Sequence, residues 1–174
     1  MRGGSAGDNG ADQITRQGYV NGLSYDPNAL AAGKDSAAEL LRTADLVRTG
    51  LAGSIRSYSM RTHNDAMQPL AQIDYAGQPA GYVAEPGEVV NYVENHDNQT
   101  LFDTNVFKLP IGTSREDRAR VQTLANAINA FSQGVAYFRA GIDTLRSKSM
   151  DRNSYNSGDW FNRLDRSEEH TSEL

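Results

Sequence analysis

The sequence predicts an α/β fold built on parallel strands, and three observations carry that prediction. Two short β-branched and aromatic runs, Val89-Val90-Asn91-Tyr92-Val93 and Val135-Ala136-Tyr137-Phe138, read as buried strands. A strongly periodic helical segment separates them, so strand, helix and strand form a βαβ unit, which implies a parallel sheet with a right-handed crossover. Both strands run into polar clusters. In open sheets and closed barrels alike, that end of the strands is where ligands bind.

Each element has its own signal. Residues 1–35 read as loop, because Gly, Asn and Asp recur too often for an element and Tyr25-Asp26-Pro27-Asn28 is a turn signal. Ser36 with Glu39 three residues later makes a capping box. Ala37, Leu40, Leu41, Ala44, Val47 and Leu51 then hold helical spacing up to a stop at Gly50. Residues 52–87 read as irregular, interrupted by Pro69, Gly77, Pro79, Gly81, Pro86 and Gly87. After the first strand a short helix is expected over 100–109, closed by Pro110. A second capping box at Thr113 and Glu116 opens a stronger helix, with Val121, Leu124, Ala125, Ile128 and Phe131 on its buried face and Gly134 as its end. Beyond the second strand the chain reads as polar loop, apart from Tyr155, Trp160 and Phe161.

Composition narrows the function classes. The 174 residues amount to about one domain. With 17 Lys and Arg against 22 Asp and Glu, the net charge is -5. An anionic chain without a basic run lacks the positive patch from which nucleic-acid binding starts. No apolar stretch approaches the ~20 residues needed to cross a bilayer, and the first residues lack the apolar centre of a signal peptide. The absence of cysteine excludes disulfides, thiolate chemistry and cysteine-built zinc sites. It leaves the compartment open.

The last nine residues, Arg166-Ser167-Glu168-Glu169-His170-Thr171-Ser172-Glu173-Leu174, break from everything before them. They look like the in-frame translation of a widely used DNA-sequencing adapter, AGATCGGAAGAGCACACGTCTGAACTC. The expected division is therefore 1–165 as protein domain and 166–174 as adapter. Removing one Arg and three Glu shifts the net charge from -5 to -3.

The chemistry-bearing residues are concentrated after the first strand, in Glu94-Asn95-His96-Asp97-Asn98. By spacing alone, His-Asp-Asn at a sheet rim is equally a ligand-binding group or a network that satisfies backbone groups. Metal binding is disfavoured, since the three histidines (His63, His96 and His170) show no i, i+4 pair on a helix. A Ser-His-Asp hydrolase is disfavoured too, because no Gly-x-Ser-x-Gly elbow occurs.

The run from Glu88 through Leu101, with Val93-Glu94-Asn95-His96-Asp97-Asn98 at its centre, is similar to the seventh-strand signature of pullulanase-type debranching enzymes, members of the α-amylase superfamily of glycoside hydrolases. Leu145-Arg146-Ser147-Lys148-Ser149 and Asn153-Ser154-Tyr155-Asn156-Ser157-Gly158-Asp159-Trp160-Phe161-Asn162-Arg163 resemble that family's segment after strand eight. Met1-Arg2-Gly3-Gly4 looks like the stretch after strand six. Gln17-Gly18-Tyr19-Val20 and Gly81-Tyr82 also fit in order. Ala80 and Glu85 depart from the pattern, where Gly and Asp are common.

The resemblance implies a partial (β/α)8 TIM barrel, from after strand six through strand eight and the loop beyond. It implies retaining hydrolysis of α-1,6-glucosidic linkages in pullulan, starch or glycogen dextrins, with an α-glucan as partner. Such chemistry uses two carboxyl groups about 5–5.5 Å apart. In the family both come from strands four and five, so the nucleophile Asp and the acid/base Glu are expected upstream of this segment, which by itself is expected to be inactive. Asp97 is then the transition-state stabiliser that grips the hydroxyls of the sugar at the cleavage point, with His96 beside it. Asn98, Asp159, Trp160 and Arg163 are implied substrate-binding residues, Asp159 and Arg163 being spaced to pair on one helical face. Calcium occurs in parts of the superfamily and loop 8–12 offers oxygens, but no EF-hand-like spacing is present and no site is assigned. Many relatives are exported bacterial enzymes, as suits a polymeric substrate. A non-catalytic glucan-binding module, or an isoamylase-like or α-amylase-like member of the superfamily, are the alternatives.

Overall fold

The computed structural model describes residues 10–33 and 36–165. The Met1-Arg2-Gly3-Gly4 stretch, Asp8 and Asn9 of the oxygen-rich loop, and the tail 166–174 lie outside the described residues.

The N-terminal segment is mostly turns, with one short helix, α1 (Asp12–Thr15), where the sequence suggested only loop. Its order comes from buried polar side chains that serve as surrogate backbone partners. Gln17 Nε2 donates to the carbonyls of Asn21 (2.6 Å) and Lys108 (2.8 Å), and Asn28 Nδ2 donates to those of Ile14 and Lys108, both at 2.9 Å.

Helix α2 (Ala37–Leu51) starts where the sequence placed it: Ser36 Oγ accepts from Glu39 N at 3.2 Å. Only half of the capping box closes, because the Glu39 carboxylate pairs with Arg42 at 2.7 Å instead. Its buried residues are Asp45 and Thr49, whereas Leu41 is exposed. The Asp45 carboxylate accepts from His63 N (2.9 Å), faces His63 Nδ1 (2.6 Å) and pairs with Arg48 (2.9 Å), which fastens α2 to the next hairpin.

Residues 52–87 correct the expectation of irregular structure. Strands β1 (Ser59–Arg61) and β2 (Met67–Pro69) pair antiparallel, as do β3 (Asp74–Tyr75) and β4 (Gln78–Pro79). Prolines escaped as strand residues because both lie at the ends of very short strands, where a missing N–H is tolerated. Met60, Leu70 and Ile73 make a small core here, against Leu46 of α2, Ala52 and Ala80.

The expected parallel pair is present. Strand β5 (Val90–Asn91) pairs in parallel with β6 (Val135–Ala136), in the register Val90 to Val135 and Asn91 to Ala136. Helices α3 (Leu101–Lys108) and α4 (Arg115–Phe131) lie between them in the chain. Thr100 caps α3, its side chain accepting from Asp103 N. The cap of α4 is Ser114 accepting from Asp117 N, not Thr113 with Glu116: the motif is shifted by one residue. Gly134 leads from α4 into β6 at φ +108, a conformation that favours glycine. A Cβ there would sit 2.7 Å from Val89 Cγ1.

The main core joins these elements through Val20, Val93, Leu101, Ala125 and Ile142, with Tyr19 and Ile128 packed against it. Several residues expected to be buried are not. Leu124 and Phe131 of α4, Val90 and Tyr92 of the β5 run, and Val135, Tyr137 and Phe138 of the β6 run are exposed, Phe131 at 79%. Their apolar character fits a surface that this chain leaves uncovered. The described residues form three two-stranded sheets and no closed barrel, so the barrel is a reading for the whole protein, taken up below.

Candidate functional site

Because β5 and β6 run parallel, their C-terminal ends open on the same side, and the residues after each strand converge there. The result is a cleft of about 680 Å³ lined by His96, Asp97 and Asn98 from the β5 side, Arg139 from the β6 side, and Lys148 and residues 152–155 from the segment beyond, with Asn162.

The cleft joins exposed side chains to buried ones that also hold its loops. His96 and Asp97 are 82% and 71% exposed in their side chains, with His96 Nε2 3.6 Å from Asp97 Oδ1. Their loop is pinned through its backbone: Asp97 N donates to Asn95 Oδ1 at 2.8 Å, and Asn98 takes a left-handed φ of 57°. An Asn tolerates that conformation better than most residues. Both carboxylate oxygens of Asp97 can therefore meet a ligand without repacking anything.

Beneath the loop lie charged groups to which the sequence assigns no role. Glu94 is buried, its carboxylate accepting from Leu101 N at the start of α3 and lying 4.0 Å from Arg139 Nη1. Lys148 is 1% exposed; its Nζ donates to the carbonyls of His96 and Asn98, each at 2.9 Å. Burial, helped by the nearby positive charge of Arg139, pushes the Lys148 ammonium below the usual lysine range. Asp103 fixes the other end of this residue: its carboxylate accepts from Lys148 N (2.8 Å) and from the Ser147 hydroxyl. The available signal for Glu94 and Arg139 was their position, each a charge directly after an apolar strand run. Lys148 lies inside the Leu145–Ser149 motif, whose resemblance implies no role for it.

The second group of expected residues falls elsewhere. Helix α5 is only Asp159–Asn162, so Arg163 lies beyond its end, and Arg163 pairs with Asp165 at 2.8 Å. The anticipated Asp159–Arg163 pair is not made, because four residues of helix cannot carry an i, i+4 pair past the terminus. Trp160 and Arg163 line a neighbouring cleft of about 270 Å³, and Trp160 Nε1 donates to Ser149 Oγ at 3.2 Å with most of its ring exposed. Asp159 lines neither cleft. Tyr155, which is not among the implied substrate-binding residues, lines the main one. Among the described residues no group of three His, Asp or Glu side chains could hold a metal ion, and no helix is long and apolar enough to cross a membrane.

No family model matches the chain. Curated relatives do. It is 42% identical over 165 residues, 95% of its length, to the pullulanase of Klebsiella pneumoniae, and 42% identical over 153 residues to the chloroplastic pullulanase 1 of Arabidopsis thaliana. The chain spans only 15% and 16% of those two proteins. Among solved structures, Klebsiella pneumoniae pullulanase complexed with maltotriose superimposes with a TM-score of 0.91 at 41% identity, covering 94% of this chain and 15% of that one. The pullulanase from Bacillus acidopullulyticus gives a TM-score of 0.61 at 28% identity, covering 93% of this chain and 14% of that one.

Proposed function

The chain is a segment of a pullulanase-type sequence, and from that premise we propose that the whole protein is a starch-debranching glycoside hydrolase, cleaving α-1,6-glucosidic linkages in pullulan, starch or glycogen dextrins with retention. The observation that carries this is the agreement of sequence and backbone with the maltotriose-bound Klebsiella enzyme over 94% of the chain. On this reading β5 and β6 are the seventh and eighth strands of a (β/α)8 barrel. The exposed apolar residues around them face the barrel's other strands and helices. The cleft at their C-terminal ends holds the glucan, with Asp97 and His96 on the sugar at the cleavage point. Trp160, Arg163 and Asp159 serve the chain further along, the exposed indole offering a face for a sugar ring.

Among the described residues that line the cleft, Asp97 is the one carboxylate. Retaining chemistry needs two more carboxyl groups, a nucleophile and an acid/base, and these lie on strands outside this segment. The 174-residue chain by itself is therefore expected to release no reducing sugar from pullulan. With bare sheet edges and uncovered apolar faces, it is also expected to melt without a cooperative transition. The experiment compares it with the whole protein, following reducing ends and the anomer first released. Hydrolysis by the short chain would overturn the assignment of its carboxylates. A whole protein inert on pullulan but able to bind maltotriose would favour a binding module. A whole protein that cleaves α-1,4 linkages would move it to another branch of the superfamily. Residues 166–174 are sequencing-adapter translation on the same reading, and re-reading the source DNA should replace them with barrel sequence.

A further inference from the structure

A lysine is almost never fully buried unless its charge is satisfied, and Lys148 is 1% exposed directly beneath the loop that carries Asp97. We infer that Lys148 is a positioning residue for Asp97, clamping the loop from below so that the carboxylate is held ready for the sugar. This rests on the reading of the whole protein as a debranching hydrolase.

The two acceptors of its ammonium are the carbonyls of His96 and Asn98, which bracket Asp97 in the chain. Two bonds from one charged donor fix the peptide that enters Asp97, through the His96 carbonyl, and the peptide that leaves Asn98. With Asp97 N bound to Asn95 Oδ1, both groups of the His96–Asp97 peptide are held while the Asp97 side chain stays exposed to the cleft. Charge-assisted bonds of this kind are about twice as strong as neutral ones.

The clamp is itself anchored. Lys148 N and the Ser147 hydroxyl are held by Asp103, in the first turn of α3. That turn is fixed by the Thr100 cap and by the Glu94 carboxylate on Leu101 N. The loop is thus tied to the N-terminus of α3 through Asp103 and Lys148. No contact between Lys148 and the ligand is required, which separates its role from that of Asp97.

The test uses the whole enzyme with Lys148→Met, Asp97→Ala and the double variant. A misplacement of about 1 Å can cost about 10²-fold in rate, so Lys148→Met is expected to lower kcat on pullulan by about 10²-fold while KM changes little. In the Asp97→Ala background the same change should lower kcat hardly further, since nothing is left to position. Lys148→Gln, which fills the space and retains a donor for one carbonyl, should lie between Met and wild type and carries the comparison if the Met variant does not fold. Wild-type kcat in the Met or Gln variant, or a full multiplicative loss in the double variant, would overturn the inference while leaving the debranching reading intact. A whole protein with no α-1,6 activity would overturn both.

Discussion

On the proposed debranching function, replacing Asp97 by Ala in the whole protein is expected to lower kcat on pullulan by about 10²–10³-fold, the cost of removing one preorganised stabiliser of transition-state charge. The physical basis lies in what the carboxylate does not do. It is largely exposed at the cleft wall, and its place is set by backbone bonds on either side of it. Truncation therefore creates no cavity and strands no buried partner, and the melting midpoint should stay at the wild-type value. Hydrogen bonds to sugar hydroxyls strengthen as the ring flattens toward an oxocarbenium-like state, so the loss should fall on kcat more than on KM. Steady-state kinetics with calorimetry on the same preparation checks both halves. An Asp97→Ala enzyme with more than a tenth of wild-type kcat would remove Asp97 from the catalytic machinery.

Asp103→Ala is expected to produce the largest loss of stability of any single change at the site, about 3 kcal/mol. Asp103 is wholly buried, and its two carboxylate oxygens receive Lys148 N and the Ser147 hydroxyl. Hydrogen bonds to a charged acceptor contribute about 1.5–3 kcal/mol each, and donors left buried without an acceptor add their desolvation cost. The Lys148 ammonium also loses a neighbouring negative charge that favours its protonated form. Asp103→Asn keeps one acceptor oxygen and should recover part of the loss. Denaturant titration of the whole enzyme measures it, and an Asp103→Ala midpoint equal to wild type would show that the segment 145–149 is held by something else.

How much of this was legible from residues alone differs by element. The Ser36 cap, the Thr100–Leu109 helix and the parallel pairing of β5 with β6 follow from local rules, because a cap, a helical period and a β-branched run act over a few residues. The α4 cap was misread by one position, since Thr113-Ser114-Arg115-Glu116-Asp117 offers two overlapping Ser/Thr-x-x-acid motifs and only packing chooses between them. The hairpins of 59–79 were missed because strands of two or three residues leave no periodicity to detect; they exist through pairing and through the Met60, Leu70 and Ile73 contacts. Burial was over-assigned to Leu124, Phe131, Val135 and Phe138, which are exposed, because an apolar residue at the right spacing is only a candidate for burial until packing covers it.

The candidate site divides in the same way. His96, Asp97 and Asn98 could be singled out from the sequence, because a polar cluster at the end of an apolar strand is a local pattern and the longer run around it resembles a known signature. That these residues share one cleft with Arg139, Lys148 and Tyr155, while Trp160 and Arg163 line another, could not. Nor could the burial of Lys148 under the Asp97 loop, a contact across some fifty residues of chain. Capping, periodicity and strand propensity are set by neighbours in sequence. Which charge is desolvated, and which carbonyls it must then satisfy, depends on segments that meet only when the chain has folded, and so the tertiary structure alone decided them.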